Sequence, residues 1–217
     1  MKKKILVIGL GRFGLNIVKC LTNMNADLLA IDIDQERVEM ASEFTQYCEI
    51  CDTTKLDVLE EIDASSFETA IVAIGSLQST FLTVANLSEM GVKRIYVRLE
   101  SSEYENVIRK LGATDIIIPE ISAASSLAHE IVSKNVLDYY EIDKQFGIVQ
   151  VFIKESFESK TLIDLDLRNK YDINIVGIIR NDKFFIPKGT DTINPKDTIL
   201  VVGKDSSVMK FESDIND

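Results

Sequence analysis

Histidine, cysteine and long apolar runs are scarce in this sequence, and each scarcity excludes a class of protein. The 217 residues include one histidine and three cysteines, so these two residue types cannot complete a four-ligand zinc site within one chain. The odd, low cysteine count is typical of a reducing compartment. No apolar run reaches the roughly eighteen residues of a membrane-spanning helix, and the composition is that of a soluble globular protein.

Basic residues are outnumbered, because 24 lysines and arginines face 35 aspartates and glutamates and leave a formal charge of −11. The acidic residues are dispersed along the chain, which is typical of a solvated surface. An excess of negative charge disfavours binding to nucleic acid or to an anionic membrane surface. We therefore expect no nucleic-acid partner.

Two short patterns imitate functional motifs. Cys48-x-x-Cys51 has the spacing of a metal or redox pair, but no second pair accompanies it. Packing at the end of a strand is the simpler interpretation of these cysteines. The start, MKKKILVIGLGRFG, is basic and then apolar like a signal peptide, but its apolar run is short and its glycines fit another motif better.

That motif is the stretch KILVIGLGRFGLN, Lys4 to Asn16, in which an apolar strand is followed by a glycine turn and a helical pattern. Gly9 permits the tight turn, Gly11 lets a pyrophosphate approach the backbone, and Gly14 lets the helix pack close to the strand. The helix N-terminus then offers unpaired N–H groups to phosphate. This stretch predicts a nucleotide-phosphate site.

Side chains at the ends of the following strands extend the predicted site. Asp32 ends the second strand, eighteen residues after Gly14, and its carboxylate can accept hydrogen bonds from ribose hydroxyls but would repel the 2′-phosphate of NADP. Arg12, inside the glycine loop, can pair bidentately with phosphate oxygens. Asp52 ends the third strand and Gly75 the fourth, so we expect both to face the same crevice.

The order of the predicted elements indicates an α/β fold. Strands alternate with helices as far as Ile118, and six strands in this rhythm predict a Rossmann-like, doubly wound parallel sheet. A long apolar pattern from Ile121 to Val136 predicts a crossover helix packed on two sides. The rest of the chain predicts a small α+β module, and we expect the two domains to be residues 1–138 and 139–217.

The sequence offers little for catalysis. The single histidine, His129, lies in the middle of the crossover helix, where a packed or interface role is favoured over a catalytic one. Tyr140-x-x-x-Lys144 matches the tyrosine–lysine spacing of short-chain dehydrogenases, but that pattern requires one helix face and this segment leads into a turn and a strand. Nucleotide binding without chemistry is therefore predicted, with a small NAD-dependent oxidoreductase using Tyr140 and Lys144 as the alternative.

Five stretches of the chain carry a resemblance to a known family. These stretches are GLGRFG at 9–14, the strand ending in Asp32, VAIG at 72–75, IIIPE at 116–120 and LIDLDLRNKYDINIVGIIR at 162–180. Together they resemble the cytosolic regulatory subunits of Ktr/Trk potassium transporters. Members of that family have a Rossmann-like domain, called RCK-N or TrkA-N, followed by a small domain called RCK-C or TrkA-C. The resemblance covers nearly the whole chain in the same order.

The resemblance implies a gating subunit rather than an enzyme. Such subunits form homodimers that assemble into an octameric ring beneath a membrane-embedded potassium-translocating subunit of the KtrB or TrkH type. They are accordingly cytoplasmic and held at the inner face of the cell membrane through that partner. ATP favours the active ring and ADP the inactive one, while some relatives bind NAD or NADH and many bind cyclic di-AMP, which closes transport.

The family's functional positions can be carried over residue by residue. Arg12 matches the arginine that contacts the nucleotide phosphates, Asp32 the ribose-binding acid, and Glu120 an acidic residue that holds Mg²⁺ or another cation. The full set expected at the nucleotide is Gly9, Gly11, Arg12, Phe13, Gly14, Asp32, Asp52, Thr53, Ala73, Gly75, Arg98 and Glu120. The set expected at cyclic di-AMP is Ile163, Arg168, Asn174, Ile175 and Pro187.

Overall fold

The computed structural model describes residues 4–133, 135–143 and 145–216. Its contacts divide the chain into two compact units, one ending at Pro119 and the other beginning at Glu120. No helix within these ranges is long and apolar enough to cross a membrane.

The first unit is a six-stranded parallel sheet with helices between the strands. The strands are β1 (Lys4–Ile8), β2 (Asp27–Asp32), β3 (Cys48–Ile50), β4 (Thr69–Val72), β5 (Arg94–Arg98) and β6 (Asp115–Ile117). The helices are α1 (Arg12–Asn23), α2 (Gln35–Ser42), α3 (Leu56–Glu61), α4 (Leu77–Glu89) and α5 (Glu105–Lys110). The strand order is β3-β2-β1-β4-β5-β6, which confirms the doubly wound fold and places its switch point between β1 and β4.

The apolar strands are buried on both faces, as a parallel sheet between two helical layers requires. Successive residues of β1 point to opposite sides of the sheet. Leu6 and Ile8 belong to one core cluster with Val72, whereas Val7 belongs to the other with Ala30. This burial explains why β1 is a continuous apolar run rather than an alternating one.

The second unit is built on an antiparallel sheet, which confirms the α+β module. Its strands are β7 (Val136–Asp143), β8 (Phe146–Phe152), β9 (Lys160–Thr161), β10 (Ile173–Arg180), β11 (Lys183–Phe185), β12 (Thr192–Ile193) and β13 (Thr198–Lys204). Its helices are α6 (Pro119–Val132), which starts at the division between the units, α7 (Leu162–Leu165), α8 (Leu167–Tyr171) and α9 (Asp205–Asn216). The main sheet has the order β11-β10-β13-β8-β7, and β9 pairs with β12.

The predicted crossover helix differs from α6 in length and in packing. Helix α6 ends at Val132, and Val136 begins strand β7. The prediction extended the helix to Val136 because the apolar pattern of the helix continues without a break into that of the strand. The prediction that this helix packs on two sides is wrong for the single chain, since none of the described side chains of α6 is buried. Leu127 and Ile131 are 54% and 73% exposed.

The predicted boundary at 138/139 falls inside β7. Helix α6 contacts that strand directly, because the Ser126 hydroxyl donates to the Tyr139 carbonyl oxygen at 2.8 Å and the His129 ring stacks on the Tyr139 ring at 3.8 Å. The second compact unit accordingly contains α6 from Glu120 onward and the whole of β7. The division into functional domains remains a prediction.

We expect Gly14→Ala to destabilise the first unit severely. A β-carbon at Gly14 would lie 1.8 Å from the Gly9 carbonyl oxygen, whereas one at Gly75 would meet no atom within 4 Å. Relieving that overlap requires α1 to move away from β1, so the expected loss of unfolding free energy is about 3 kcal/mol. Chemical denaturation measures it, with Gly75→Ala as the control, and equal stability of the two variants would contradict the close approach.

Candidate functional site

A cleft opens at the carboxyl ends of the strands in the first unit, at the switch point of the sheet. It encloses about 280 Å³, and this position is where doubly wound folds bind their ligands. Its lining includes five of the predicted residues, namely Gly9, Asp32, Asp52, Thr53 and Gly75. The lining residues that the sequence reasoning missed are Ile8, Ile33, Arg37, Cys51, Thr54, Ile74, Ser76 and Ser79.

The glycine loop closes one side of this cleft. Gly9 has a φ of +89°, and a β-carbon there would lie 2.7 Å from the carbonyl carbon and oxygen of Ala73, so the loop and the end of β4 touch. The Ala73 N–H donates to the Ile8 carbonyl oxygen at 2.7 Å and continues the sheet to the edge of the cleft. At Gly11 the nearest neighbour of a β-carbon would be Arg37 Nη1, 4.0 Å away, which leaves room for a ligand to approach the backbone.

The N-terminus of α1 differs from those of its neighbours α2 and α4. Asp34 caps α2 and Ser76 caps α4, whereas Gly11 gives α1 no side-chain cap and its first turn contains no acidic residue. The first N–H groups of an uncapped helix, together with its dipole, attract an anion. Arg12 begins this helix as an exposed side chain without an ion pair in the described part of the chain, and Phe13 follows it.

Asp32 has a structural role in addition to the ribose contact that the sequence predicts. Its side chain is only 5% exposed, and Oδ2 accepts the Leu10 N–H at 2.6 Å while Oδ1 accepts the Asp34 N–H at 2.9 Å. The Arg37 guanidinium approaches Oδ2 to 3.6 Å. The carboxylate therefore fixes the glycine loop against the end of β2 while it faces the cleft.

The far end of the cleft is formed by the segment after β3. The Thr54 hydroxyl donates to Asp52 Oδ1 at 2.6 Å, and the Lys55 ammonium lies 3.7 Å from Asp52 Oδ2. The Thr54 hydrogen bond is the main factor that holds the pKa of Asp52 below its usual value. Thr53 is buried, with its hydroxyl 2.9 Å from that of Thr83. Hydrogen bonds thus hold both side chains of this segment, and the Asp52 carboxylate lines the cleft.

Arg98 lies in a second cleft beside the first. This cleft of about 240 Å³ shares Ile74 and Gly75 with its neighbour and is also lined by Arg98, Ser101 and Tyr104. Arg98 Nη1 lies 3.3 Å from Glu100 Oε1. Arg98 is one of the residues expected at the nucleotide, but β1 and β4 lie between β2 and β5, so the carboxyl end of β5 opens into the adjoining space. The contact of Arg98 with a nucleotide remains a prediction.

Glu120 belongs to the second unit, where it is exposed in the first turn of α6. Among the described residues no group of three or more histidine, cysteine, aspartate or glutamate side chains is placed to hold a metal ion. The cation role of Glu120 therefore remains a prediction.

A separate cleft in the second unit contains most of the predicted cyclic di-AMP residues. It encloses about 340 Å³ and is lined by Leu162, Ile163, Asp166, Leu167, Arg168, Ile173, Asn174 and Ile175. Pro187 is not in this lining, although the Ile163 N–H donates to the carbonyl oxygen of nearby Gly189 at 3.0 Å. The short helices α7 and α8 and the start of β10 bring these positions together.

The residues weighed for catalysis belong to the second unit. Tyr140 lies on strand β7 rather than on a helix, and Lys144 lies outside the described residues. His129 is stacked on Tyr139, whose buried hydroxyl donates to Asp205 Oδ1 at 3.2 Å. Burial, reinforced by Asp205, raises the pKa of Tyr139 to about 12.

The cysteine pair is free and poorly suited to redox chemistry. Cys48 and Cys51 form no disulfide. Burial raises the pKa of both thiols, and Glu49 raises that of Cys51 further. Since the thiolate is the reactive form, these surroundings agree with packing at the end of a strand.

Comparison with known proteins identifies both units. The TrkA-N domain matches residues 5–119 and the TrkA-C domain residues 148–216. The chain is 38% identical to Ktr system potassium uptake protein C of Bacillus subtilis, over 98% of this chain and 97% of that protein. It is 32% identical to Ktr system potassium uptake protein A of the same organism, over 98% and 96% of the two chains.

A solved structure extends the likeness in fold. The GsuK channel bound to NAD matches 99% of this chain with a TM-score of 0.68 at 13% identity. This chain spans 39% of the length of that channel chain, and the likeness concerns the fold alone.

We expect Thr54→Val to raise the pKa of Asp52 towards its usual value, because the substitution removes the hydroxyl that donates to the carboxylate. The folded-state pKa of Asp52 is depressed, so Asp52 stabilises the wild-type fold above its unfolded pKa. That stabilisation disappears as the pH falls through the folded pKa. An NMR titration of Asp52 measures the change, with exposed Ser65→Ala as a control, and an unaltered pKa in Thr54→Val would refute the assignment.

Proposed function

This chain belongs to the family of regulatory subunits of Ktr/Trk potassium uptake systems, and from that membership we propose that it is a nucleotide-sensing gating subunit activated by ATP and inactivated by ADP. The observation that carries the proposal is the switch-point cleft, whose lining includes Gly9, Asp32 and Asp52. The glycine loop leads from this cleft into the uncapped N-terminus of α1, where Arg12 begins the helix outside the lining. No hydride or proton transfer is required of this site.

The two nucleotides differ by one phosphate, and a ligand shifts a two-state assembly only by its differential affinity for the two states. Arg12 is charged, exposed and located in the first turn of α1. A guanidinium there can form a charge-assisted pair with a terminal phosphate that ADP lacks. Arg12 therefore distinguishes ATP from ADP by pairing with the terminal phosphate.

The chemistry of the cleft favours adenine as the base. The depressed pKa of Asp52 keeps its carboxylate ionised at neutral pH, so it accepts hydrogen bonds but cannot donate them. The adenine amino group can donate to it, whereas the carbonyl oxygen of guanine would be repelled. Asp32 completes the nucleoside site by accepting from the ribose hydroxyls.

NAD or NADH is the second ligand class for the same site. The adjoining cleft, which contains Arg98, offers space for the second half of a dinucleotide, and the GsuK channel of similar fold is described as bound to NAD. ATP remains the first choice because of Arg12. The proposed cation, Mg²⁺ or another ion held by Glu120, rests on the family resemblance.

Assembly into homodimers and an octameric ring accounts for the exposed apolar face of α6. Ile121, Leu127, Ile131 and Val132 on this helix are all more than half exposed, and large exposed apolar surfaces mark association sites. The ring would bind the membrane potassium-translocating subunit at its cytoplasmic side. This partnership sets the proposed location, at the inner face of the cell membrane.

The cleft of the second unit is proposed to bind cyclic di-AMP and thereby inhibit transport. Arg168 is exposed at its rim and has no ion pair within the described ranges, and it can pair with a ligand phosphate. Ile163 is 64% exposed and provides apolar surface for a base. Pro187 would act at the outer edge of this surface.

We expect Arg12→Gln to weaken ATP binding about tenfold or more and to leave ADP binding less affected, because a charge-assisted contact to the last phosphate is lost. Calorimetric titration of wild type and variant with ATP, ADP, NAD and NADH measures this, beside the particle size by light scattering. Lys93→Gln is the control, since it removes one positive charge just before β5 at the opposite edge of the sheet.

Two outcomes would contradict the proposal. Equal ATP and ADP affinities in the wild-type chain would contradict the role of Arg12 in distinguishing the two nucleotides. A dimer or tetramer that binds only NAD would favour the oxidoreductase.

We expect Arg168→Gln to weaken cyclic di-AMP binding by about tenfold while leaving ATP affinity unchanged, because the two clefts lie in different units. Titration with each ligand checks this, and Lys196→Gln changes the same charge elsewhere in the second unit. Unchanged cyclic di-AMP affinity in Arg168→Gln, or a parallel loss of ATP affinity, would count against this site.

A further inference from the structure

The nucleotide cleft contains a basic side chain to which neither the glycine motif nor the family resemblance gives a role. Within the described residues, Arg37 is the one lysine or arginine in the lining of this cleft. It lies in the first turn of α2, whose N-cap is Asp34. The helix therefore places its guanidinium on the same side of the cleft as Asp32.

The guanidinium is held there by charge, with most of its hydrogen-bonding capacity unused. Nη1 lies 3.6 Å from Asp32 Oδ2 and Nε lies 3.5 Å from Asp34 Oδ2. Both distances exceed those of hydrogen bonds, which centre near 2.9 Å. The side chain is 47% exposed, and ion pairs of this kind contribute little to stability, so a purely structural role explains little of this placement.

The neighbouring lining makes this part of the cleft suitable for a planar base. Ile33, directly after β2, also lines the cleft and is 66% exposed. A guanidinium plane beside an exposed isoleucine offers one charged and one apolar surface, and arginine stacks on aromatic rings through its planar face. Arg37 Nη1 would also lie 4.0 Å from a β-carbon at Gly11, so the guanidinium is located between Asp32 and the glycine loop, and the number of phosphates on the ligand must be varied to separate a base contact from a phosphate contact.

Asp32 cannot take over this task, because it is fixed by the Leu10 and Asp34 N–H groups. Arg37 has a long side chain with only ionic restraints, so it can adjust to a bound ligand while its two carboxylate partners keep it near the ribose. Of these two residues, only Arg37 therefore has a side chain that can adjust to a ligand.

We propose that Arg37 is a specificity-determining residue of this site, which packs its guanidinium against the base of a bound purine nucleotide and contributes to nucleoside rather than phosphate affinity. The inference rests on the proposed nucleotide function and adds a residue that selects the base. It differs from the role of Arg12, whose contribution depends on the number of phosphates.

The test is a comparison of adenosine, AMP, ADP and ATP by calorimetric titration of wild type, Arg37→Gln and Arg37→Lys. Arg37→Gln should weaken all four ligands by the same factor, about 3- to 30-fold, which corresponds to a cation–π contact. Arg37→Lys, which keeps the charge but lacks the planar face, should recover only part of this loss. A pyrimidine nucleotide, CTP, should lose less than ATP because its smaller base offers less stacking area.

The control is Arg109→Gln, since Arg109 is also about half exposed and paired to one acidic side chain, Glu105, on its own helix. Thermal unfolding of the ligand-free variants checks that each is folded. A loss that grows with each phosphate would overturn the inference in favour of a phosphate contact, and full recovery by Arg37→Lys would overturn the stacking role.

Unchanged affinities in Arg37→Gln, with normal binding by the wild type, would overturn this inference alone. A wild-type chain that binds no adenine nucleotide would overturn both the inference and the proposed ligand.

Discussion

The close approach of the glycine loop to β1 and β4 is the constraint on which the site depends. A β-carbon at Gly14 would overlap the Gly9 carbonyl oxygen, and one at Gly9 would overlap the backbone of Ala73. The buried Asp32 carboxylate fixes the same loop from the other side through the Leu10 N–H. A side chain at Gly9 or Gly14 would therefore force the glycine loop and α1 away from β1 and β4.

The acidic and basic groups around that loop have different roles in nucleotide recognition. The cleft lining contains the carboxylates of Asp32 and Asp52 and the guanidinium of Arg37, and the glycine loop connects it to the uncapped N-terminus of α1. An acidic chain can thus bind a polyanion, because the backbone supplies much of the positive potential locally. The same arrangement disfavours an additional phosphate on the ribose.

Much of the fold could be predicted because its signals are local. The six strands of the first unit are apolar runs between helical patterns, and the parallel arrangement follows from that alternation. Strand β7 could not be separated from α6, since Val132 and Val136 continue one apolar pattern across the break. Exposure of α6 was also unpredictable, because an apolar helix face looks the same whether its cover comes from its own chain or from another.

The sequence by itself determined the phosphate motif, since Gly9, Gly11, Arg12 and Gly14 act within one turn of backbone and their spacing fixes their geometry. It also identified Asp32, whose place at the end of the second strand follows from the fold. Only the tertiary structure decided which distant residues share the cleft. It placed Arg98 in the adjoining cleft, Glu120 in the second unit and Arg37 beside Asp32, because through-space neighbours depend on strand order and helix orientation rather than on spacing along the chain.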